Sequence, residues 1–522
     1  MDLPDPDLHT SPFKSLVFSN DSPSNLEAKS VEEFLHDHLR ELLKQDEEIA
    51  RVSALLNRLT NKHRHLQQYI NAHQSILSPI RTFPSEILAE IFMQTLDDHY
   101  DVFDTKRGPW VFGHVCRRWK DISRSCPALW TSLSIESLHL HPESRRSDLP
   151  DILKEALFLS HNQQLDVRYS LRSLIINDGI IYRPKILWVN RRSNFWDILQ
   201  QLLDMLVHHS MRWKSVTFVI PFKLGPRLEK AKGRLSSLVS FDLSACQGLG
   251  SRMFFDSETI DVLSVAPKLQ VLTVTSMPDN MLLSFSRSQM RHLSLDLEAS
   301  VEDHLRLLTE APLLETYIAG FHDRSPLENH RLHCTHSSLR HLELSYRDSS
   351  PTLLQYLTCP ALEELSLDIR NVDAADISQI LYEFGDRSGC PLRQLSVKLE
   401  DAGNLLVHLL DSLASKMYGW RHDLFPGLAV LKMIIEEDGE STPSILGKLA
   451  DIIRARWNAG SSDGLRSLSL VIDNDDDDWA DSDTENEWAE CKFDVFQRFK
   501  EDGLDVTLKR NGLCFVFVLY GW

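Results

Sequence analysis

The chain has 522 residues, 42% of them hydrophobic, and a formal net charge of −19. That length excludes one small core and points to about three domains or a repeat array. The negative charge excludes a polyanion such as nucleic acid as the main partner, leaving room only for local basic patches. No run approaches the ~20 apolar residues that a membrane helix requires, so no membrane partner is expected. The opening MDLPDPDLHTSPF has no basic stretch followed by an apolar core and does not read as a secretory signal. Eight cysteines (116, 126, 246, 334, 359, 390, 491 and 514) are scattered without a CxxC pair. This usage fits a reducing compartment, hence an intracellular residence, cytoplasmic or nuclear, with no disulfide framework.

Residues 1–29 are rich in Pro, Ser and Asp and read as a disordered tail. The character changes over 30–77. Leu35, Leu39, Leu42, Ile49, Val52, Leu56, Leu59, Leu66, Ile70 and Leu77 step largely by three and four, a heptad-like spacing. Asp46, His63 and His73 interrupt it, and the phase slips near Ile49. No Pro or Gly stands between Pro23 and Pro79, so a long helix is expected. Two readings stand side by side: a coiled coil that makes a homodimer through residues 30–77, and a helix folded back on its own array or left partly exposed.

From 78 to 135 the sequence changes again. In SPIRTFPSEILAEIFMQTL, the residues Phe83, Ile87, Leu88, Ile91, Phe92 and Leu96 make a wide apolar stripe at helical spacing. Pro84 suits the first turn of that helix and Glu86 the positive end of its dipole. In VCRRWKDISRSCPALWTSL, Val115, Trp119 and Ile122 fall at i, i+4 and i+7. Two short helices so patterned must pack on each other, on the rest of the chain or on a partner.

These half-motifs, Phe83-Pro84-x-Glu86-Ile87-Leu88-x-x-Ile91-Phe92, Val115-Cys116-Arg117-Arg118-Trp119 and Leu129-Trp130, resemble an F-box. The resemblance covers about a tenth of the chain, and two half-motifs in the right order make it fairly specific. It implies a helical module that docks on a Skp-family adaptor and through it on a cullin-RING ubiquitin ligase. The residues it places on the adaptor side are Pro84, Ile87, Leu88, Ile91, Phe92, Val115 and Trp119. One departure is Asp97 to Pro109, longer and more polar than a minimal F-box needs.

Over 136–472 a unit Leu-x-x-Leu-x-Leu recurs. It starts at Leu238, Leu269, Met290, Leu339, Leu362, Leu392, Leu428 and Leu465, with weaker copies at Trp213 and Leu314. Alternation over its last positions marks a short strand with one buried face. Ala266-Pro267, Ala311-Pro312, Cys359-Pro360 and Cys390-Pro391 precede several copies, and a Pro there ends a helix and launches a strand. DHLRLLTEAP and PTLLQYLTCP read as such helices. Strand, loop and helix at this period resemble a leucine-rich-repeat solenoid. The resemblance is degenerate: only the Leu238 copy has an Asn/Cys-type residue, Cys246, at the expected place. The regular part is expected to start near residue 210; before it LDVRY and KILWV read as early strands and WDILQQLLDMLVHH as a helix.

Residues 473–490 hold ten acids and no base, about half of the net charge, and read as a solvated acidic loop. Ser482 and Thr484 within it would suit an acid-directed kinase, but a plain solvated insertion is the stronger reading. In 491–522, LDVTLKRNGLCFVFVL reads as a hairpin turning at Asn-Gly that caps the array.

No phosphate loop, nucleophile elbow or HExxH occurs. His333, Cys334 and His336 carry zinc-ligand types, but neighbouring ligands point apart and no second ligand group stands at a matching spacing, so no metal or cofactor is expected. The fold class expected is α/β, a helical F-box-like module followed by an irregular leucine-rich-repeat solenoid and preceded by a long helix. This combination resembles the large fungal F-box protein family. The function it implies is non-enzymatic: substrate recognition for an SCF-type ubiquitin ligase, the F-box taking the adaptor and the repeats an unknown target. The alternative is a scaffold that dimerises through the long helix and transfers no ubiquitin. On the expected concave face Ser240, Asp242, Ser294, Asp296, Glu343, Ser345, Ser366 and Asp368 are mixed and mildly acidic, which hints at a polar or basic target.

Overall fold

The computed structural model describes residues 8–19, 21–97, 99–136, 148–171, 194–245, 259–275, 282–296, 300–321, 333–347, 352–370, 374–400, 403–414, 423–436, 442–457, 464–473, 493–510 and 513–514. KILWV, Cys246 and nearly all of the acidic block lie outside these. The chain divides into two compact units, 1–88 and 89–522, and the boundary falls within one short helix.

In the first unit, helix α1 (Lys14–Val17) precedes the 50-residue helix α2 (Asn25–Gln74). α2 starts five residues earlier than the heptad pattern implies. Ser24 accepts the Glu27 amide while the Glu27 carboxylate takes the Ser24 amide, a reciprocal cap that fixes the start. The segment expected to be a tail is also partly structured: Phe13 meets Phe34 edge-on at 5.5 Å. α2 buries none of its residues.

The second unit is a mixed α/β body around one large, almost wholly parallel sheet. Its strands are β1 (Ser132–Glu136), β2 (Leu165–Ser170), β3 (Trp213–Ile220), β4 (Ser240–Ala245), β5 (Val271–Thr275), β6 (His292–Leu295) and β7 (Thr316–Phe321). They continue as β8 (His341–Arg347), β9 (Glu364–Arg370), β10 (Gln394–Glu400), β11 (Val430–Glu436), β12 (Ser467–Asp473), β13 (Asp505–Arg510) and β14 (Leu513–Cys514). Spatial order equals chain order throughout, and only β13–β14 is antiparallel. A parallel neighbour demands a long crossover. Helices supply most of these: α6 (Leu149–Leu159), α7 (Asn194–His208), α8 (Val301–Glu310), α9 (Leu353–Tyr356), α10 (Ala374–Ser388), α11 (Gly403–Ala414) and α12 (Thr442–Arg456), with α13 (Phe493–Glu501) before β13.

Register explains why the repeats stack. Leu342, Leu365, Leu395, Leu431 and Leu468 are successive partners, as are Leu344, Leu367, Val397, Met433 and Leu470. All are buried, each such side chain contributing about 1.5–3 kcal/mol before chain entropy is counted. Helices close the same side, α12 with Ile445, Leu449, Ile452 and Ile453. A parallel sheet covered on both faces reads as unbroken apolar runs. Here Ser, Thr, Asp and Lys alternate with the leucines, and apart from buried Ser134 and Ser294 those of them whose burial is described are half-buried or exposed, so one face carries the core.

Three expectations need correction. The array begins at Ser132, four residues before the expected 136 and well ahead of the regular part expected near 210, because Trp130-x-x-Leu133-x-Ile135 is itself a copy of the unit with Trp in the first place; all three are buried. The division at 135/136 therefore cuts through β1. The residues 505–510 are no separate cap: β13 adds parallel to β12 as a further step, and only β14 returns, the Asn511-Gly512 turn lying outside the described residues.

Candidate functional site

The F-box-like sequence forms three helices, not two: α3 (Ser85–Thr95), α4 (Trp110–Val115) and α5 (Arg117–Ser125). Pro84 stands just before α3, its carbonyl accepting the Leu88 amide at 3.1 Å. The expected run of Val115, Trp119 and Ile122 on one helix is broken at Cys116, which is extended (φ −162°, ψ 168°) and serves as the N-terminal cap of α5. On an unbroken helix seven residues rise about 10.5 Å. The break lets the Phe112 and Trp119 rings approach to 6.3 Å, while Phe92 stacks on Phe112 at 4.0 Å and lies 4.9 Å from Trp119.

This three-ring cluster sorts the seven expected adaptor residues. Phe92 is inside it and 1% exposed, and Leu88, one turn earlier on α3, is 0% exposed; both belong to the core and offer no surface. Pro84 is exposed, Ile87 is 49% and Val115 57% exposed, and Ile91 and Trp119 are half-buried. Within the apolar stripe of α3 and the Pro84 before it, Pro84, Ile87 and Ile91 form the more exposed edge and Leu88 and Phe92 the buried one. The structure thus brings Phe92 and Trp119 together through Phe112, which the sequence reading had not singled out. Its signal was present: Phe112 precedes Trp119 by seven.

The stretch Asp97–Pro109, longer than expected of a minimal module, is tied down. Tyr100, Val102 and Phe103 are buried, the Val102 amide donates to the Ser134 carbonyl at 2.8 Å, and the Tyr100 hydroxyl donates to the Leu129 carbonyl at 3.2 Å. Burial pushes the Tyr100 phenol far above its ordinary pKa. Trp110 donates to the Val102 carbonyl at 3.1 Å and meets Trp130 edge-on at 4.6 Å. Gly108 turns the chain with φ +59°, and a Cβ there would lie 2.3 Å from the Tyr100 ring. The loop is a packed strut between α3 and β1.

The open sheet face is the second candidate surface. Register places Arg168, Thr217, Asp242, Thr273, Ser294, Ile318, Glu343, Ser366, Ser396, Lys432, Ser469 and Thr507 in one row. A parallel row carries Lys398 beside Asp368, and next to them Ile434 beside Val471. His341 Nδ1 stands 2.9 Å from Glu364. The mild acidity inferred from isolated repeats is therefore balanced by cations that register brings alongside. Burial raises the Asp242 carboxyl above its usual range.

A cavity of about 720 Å³ lies between α6, α7 and the turn 222–231, floored by Leu157, Phe158 and Met205. Its Asp204 is committed to Arg227 and Lys230, and burial lowers the His209 imidazole. No nucleophile with an adjacent base lines it. The zinc-type residues do not converge: Cys334 is buried, His336 Nε2 meets the Ala311 carbonyl at 2.9 Å and His333 faces Tyr356 at 5.7 Å. Among the described residues no group of three or more His, Cys, Asp and Glu is placed to hold a metal ion, and no described helix is long and apolar enough to cross a membrane.

No protein-family model matches the chain, and no curated protein matches it.

Proposed function

We propose that this chain is a substrate-recognition subunit of an SCF-type cullin-RING ubiquitin ligase. The F-box-like helices dock a Skp-family adaptor, and the strand array, read as an irregular leucine-rich-repeat solenoid, gathers the target on its open face. The chain breaks no bond itself; it supplies proximity, which raises the effective concentration of target at the partner enzymes.

The observation that carries this reading is the split within the motif. Leu88 and Phe92 are consumed in the core, while Pro84, Ile87 and Val115 of the same motif stay in water. Exposed apolar side chains set on short helices in this manner fit a protein partner. For such interfaces a few anchors carry most of the energy, and half-buried Trp119 is one.

The test is a pull-down of the purified chain with a Skp-family adaptor, beside Ile87→Asp alone and Ile87→Asp/Trp119→Ala, with circular dichroism as a check of folding. Binding by the wild type and at least a tenfold loss in folded Ile87→Asp is the expected outcome. A folded wild type that does not bind the adaptor sinks the proposal.

A further inference from the structure

The feature least absorbed by that reading is α2, which buries no residue along 50 positions, about 75 Å of helix. Counted along the unbroken helix Asn25–Gln74, a heptad can be followed without a slip. Leu35, Leu42, Ile49, Leu56, His63 and Ile70 follow one another at intervals of seven, and so do Val31, His38, Gln45, Val52, Leu59, Leu66 and His73, three places on. The apparent slip near Ile49 comes from Leu39, which lies beside the seam and not in it. These are the a and d rows of one continuous heptad.

Charge decides what such a seam accepts. Residues 25–51 carry eight acids against four bases, whereas 52–77 carry Arg58, Lys62 and Arg64 and no acid. Two copies laid parallel would set Glu27 against the partner's Glu32 and Glu41 against the partner's Asp46, with no opposite-charge pair across the flanks. Laid antiparallel, the acidic half of each covers the basic half of the other, and Glu41 meets the partner's Lys62.

We propose that α2 pairs with a second copy of this chain as an antiparallel two-stranded coiled coil, in the register that sets Leu35 opposite the partner's Leu66. In that register Leu42 faces the partner's Leu59 and Ile49 faces the partner's Val52. His38 faces the partner's His63, so two of the four polar seam positions meet in one layer, while Gln45 faces the partner's Leu56. His38 Nδ1 is already held by the Phe34 carbonyl at 2.9 Å, which leaves Nε2 as acceptor for an imidazole N–H across the seam. Symmetry then repeats every layer, as a two-fold interface requires. The inference is independent of adaptor binding.

Sedimentation equilibrium of the full chain tests it, together with oxidative cross-linking. Expected are a dimer for the wild type and for Leu43→Glu, which lies off the seam, and a monomer for Ile49→Glu. Mixed Leu35→Cys and Leu66→Cys chains should give a disulfide joining the two positions, mapped by peptide mass, with neither variant cross-linking to itself there. Glu41→Lys should weaken association about tenfold and Glu41→Lys/Lys62→Glu should restore it. A wild type that is monomeric at tens of micromolar overturns the proposal. So does self-cross-linking of Leu35→Cys, or tighter association of Glu41→Lys, either of which indicates a parallel pair.

Discussion

Replacing Phe92 by Ala should unfold the F-box-like helices far more readily than replacing Ile87 by Ala, although the two stand five residues apart on one apolar stripe. Phe92 is 1% exposed, stacked on Phe112 at 4.0 Å and 4.9 Å from Trp119. Its truncation forfeits about 2–3 kcal/mol of transfer free energy and about 0.5–1.5 kcal/mol of ring–ring contact. The sum, about 2.5–4.5 kcal/mol, overlaps the range for buried Phe→Ala changes. Ile87 is half in water and leaves no closed cavity, so its loss should cost about 1 kcal/mol or less. Urea unfolding followed by tryptophan fluorescence measures both, and hydrogen exchange over residues 110–125 localises the damage. A Phe92→Ala cost below about 1 kcal/mol, or an Ile87→Ala cost equal to it, would refute the division of the stripe into core and docking residues. Adaptor binding should show the inverse order at equal folded fraction.

Other substitutions probe the frame that carries these surfaces. Gly108→Ala should cost about 2–4 kcal/mol, from the left-handed backbone and the overlap with Tyr100, read as a lowered urea midpoint. Arg456→Met should cost about 3 kcal/mol, since it orphans the Leu413, Leu424 and Phe425 carbonyls together, and Arg456→Lys should recover less than half, an ammonium being unable to fork to all three. Ser388→Ala should cost about 1–2 kcal/mol by leaving the buried Cys359 amide without its 3.1 Å acceptor, with faster exchange of that amide as the readout.

Much of the array was legible because its information is local. Most strands announce themselves by two or three alternating apolar residues, and Ala-Pro or Cys-Pro precedes several of them. The Ser300–Asp303 capping box and the Leu305 and Leu308 stripe make α8 readable without a neighbour. What escaped was whatever depends on a second segment. β1 was hidden because Trp130 serves both as the end of the helical module and as the first position of a repeat. The break at Cys116 was hidden because Val115, Trp119 and Ile122 satisfy helical spacing; only the demand of Phe112 for Phe92 and Trp119 explains it. The residues proposed to face the adaptor were legible as apolar helix positions but not their division into buried and exposed, since a spacing rule puts Ile87 and Leu88 side by side and says nothing about which one faces the core.

The same reasoning accounts for a feature that no residue pattern announces. Every short helix leaves carbonyls unsatisfied at its C-terminal end, and a stack of parallel steps collects those ends along one edge. At six places among the described residues, five of them at or just beyond a helix end, a side chain from a later step supplies a donor. Arg212 donates to the Gln163 and Ser160 carbonyls after α6, and Arg234 to His208 at the end of α7. Gln289 donates to Ala266 at 2.8 Å, and His336 Nε2 meets Ala311, just beyond α8. Arg387 reaches the Leu354 and Leu357 carbonyls, and Arg456 the Leu413 carbonyl at the end of α11. The residue type varies, and its distance from the following strand varies too, so in sequence each one reads as a stray surface polar group. What is kept is the position in space and the sign: four of the six donors are guanidinium groups, which also face the negative end of a helix dipole. Burial lowers the pKa of Arg212, Arg387 and Arg456, yet an arginine remains charged at any working pH. The steps are therefore joined by leucine ladders on the inner side and by charged clamps at the helix ends. Where both are present, two separate sets of fasteners hold one step to the next. That rigidity suits the recognition role proposed for the open face, since side chains already placed leave little ordering entropy to lose on binding.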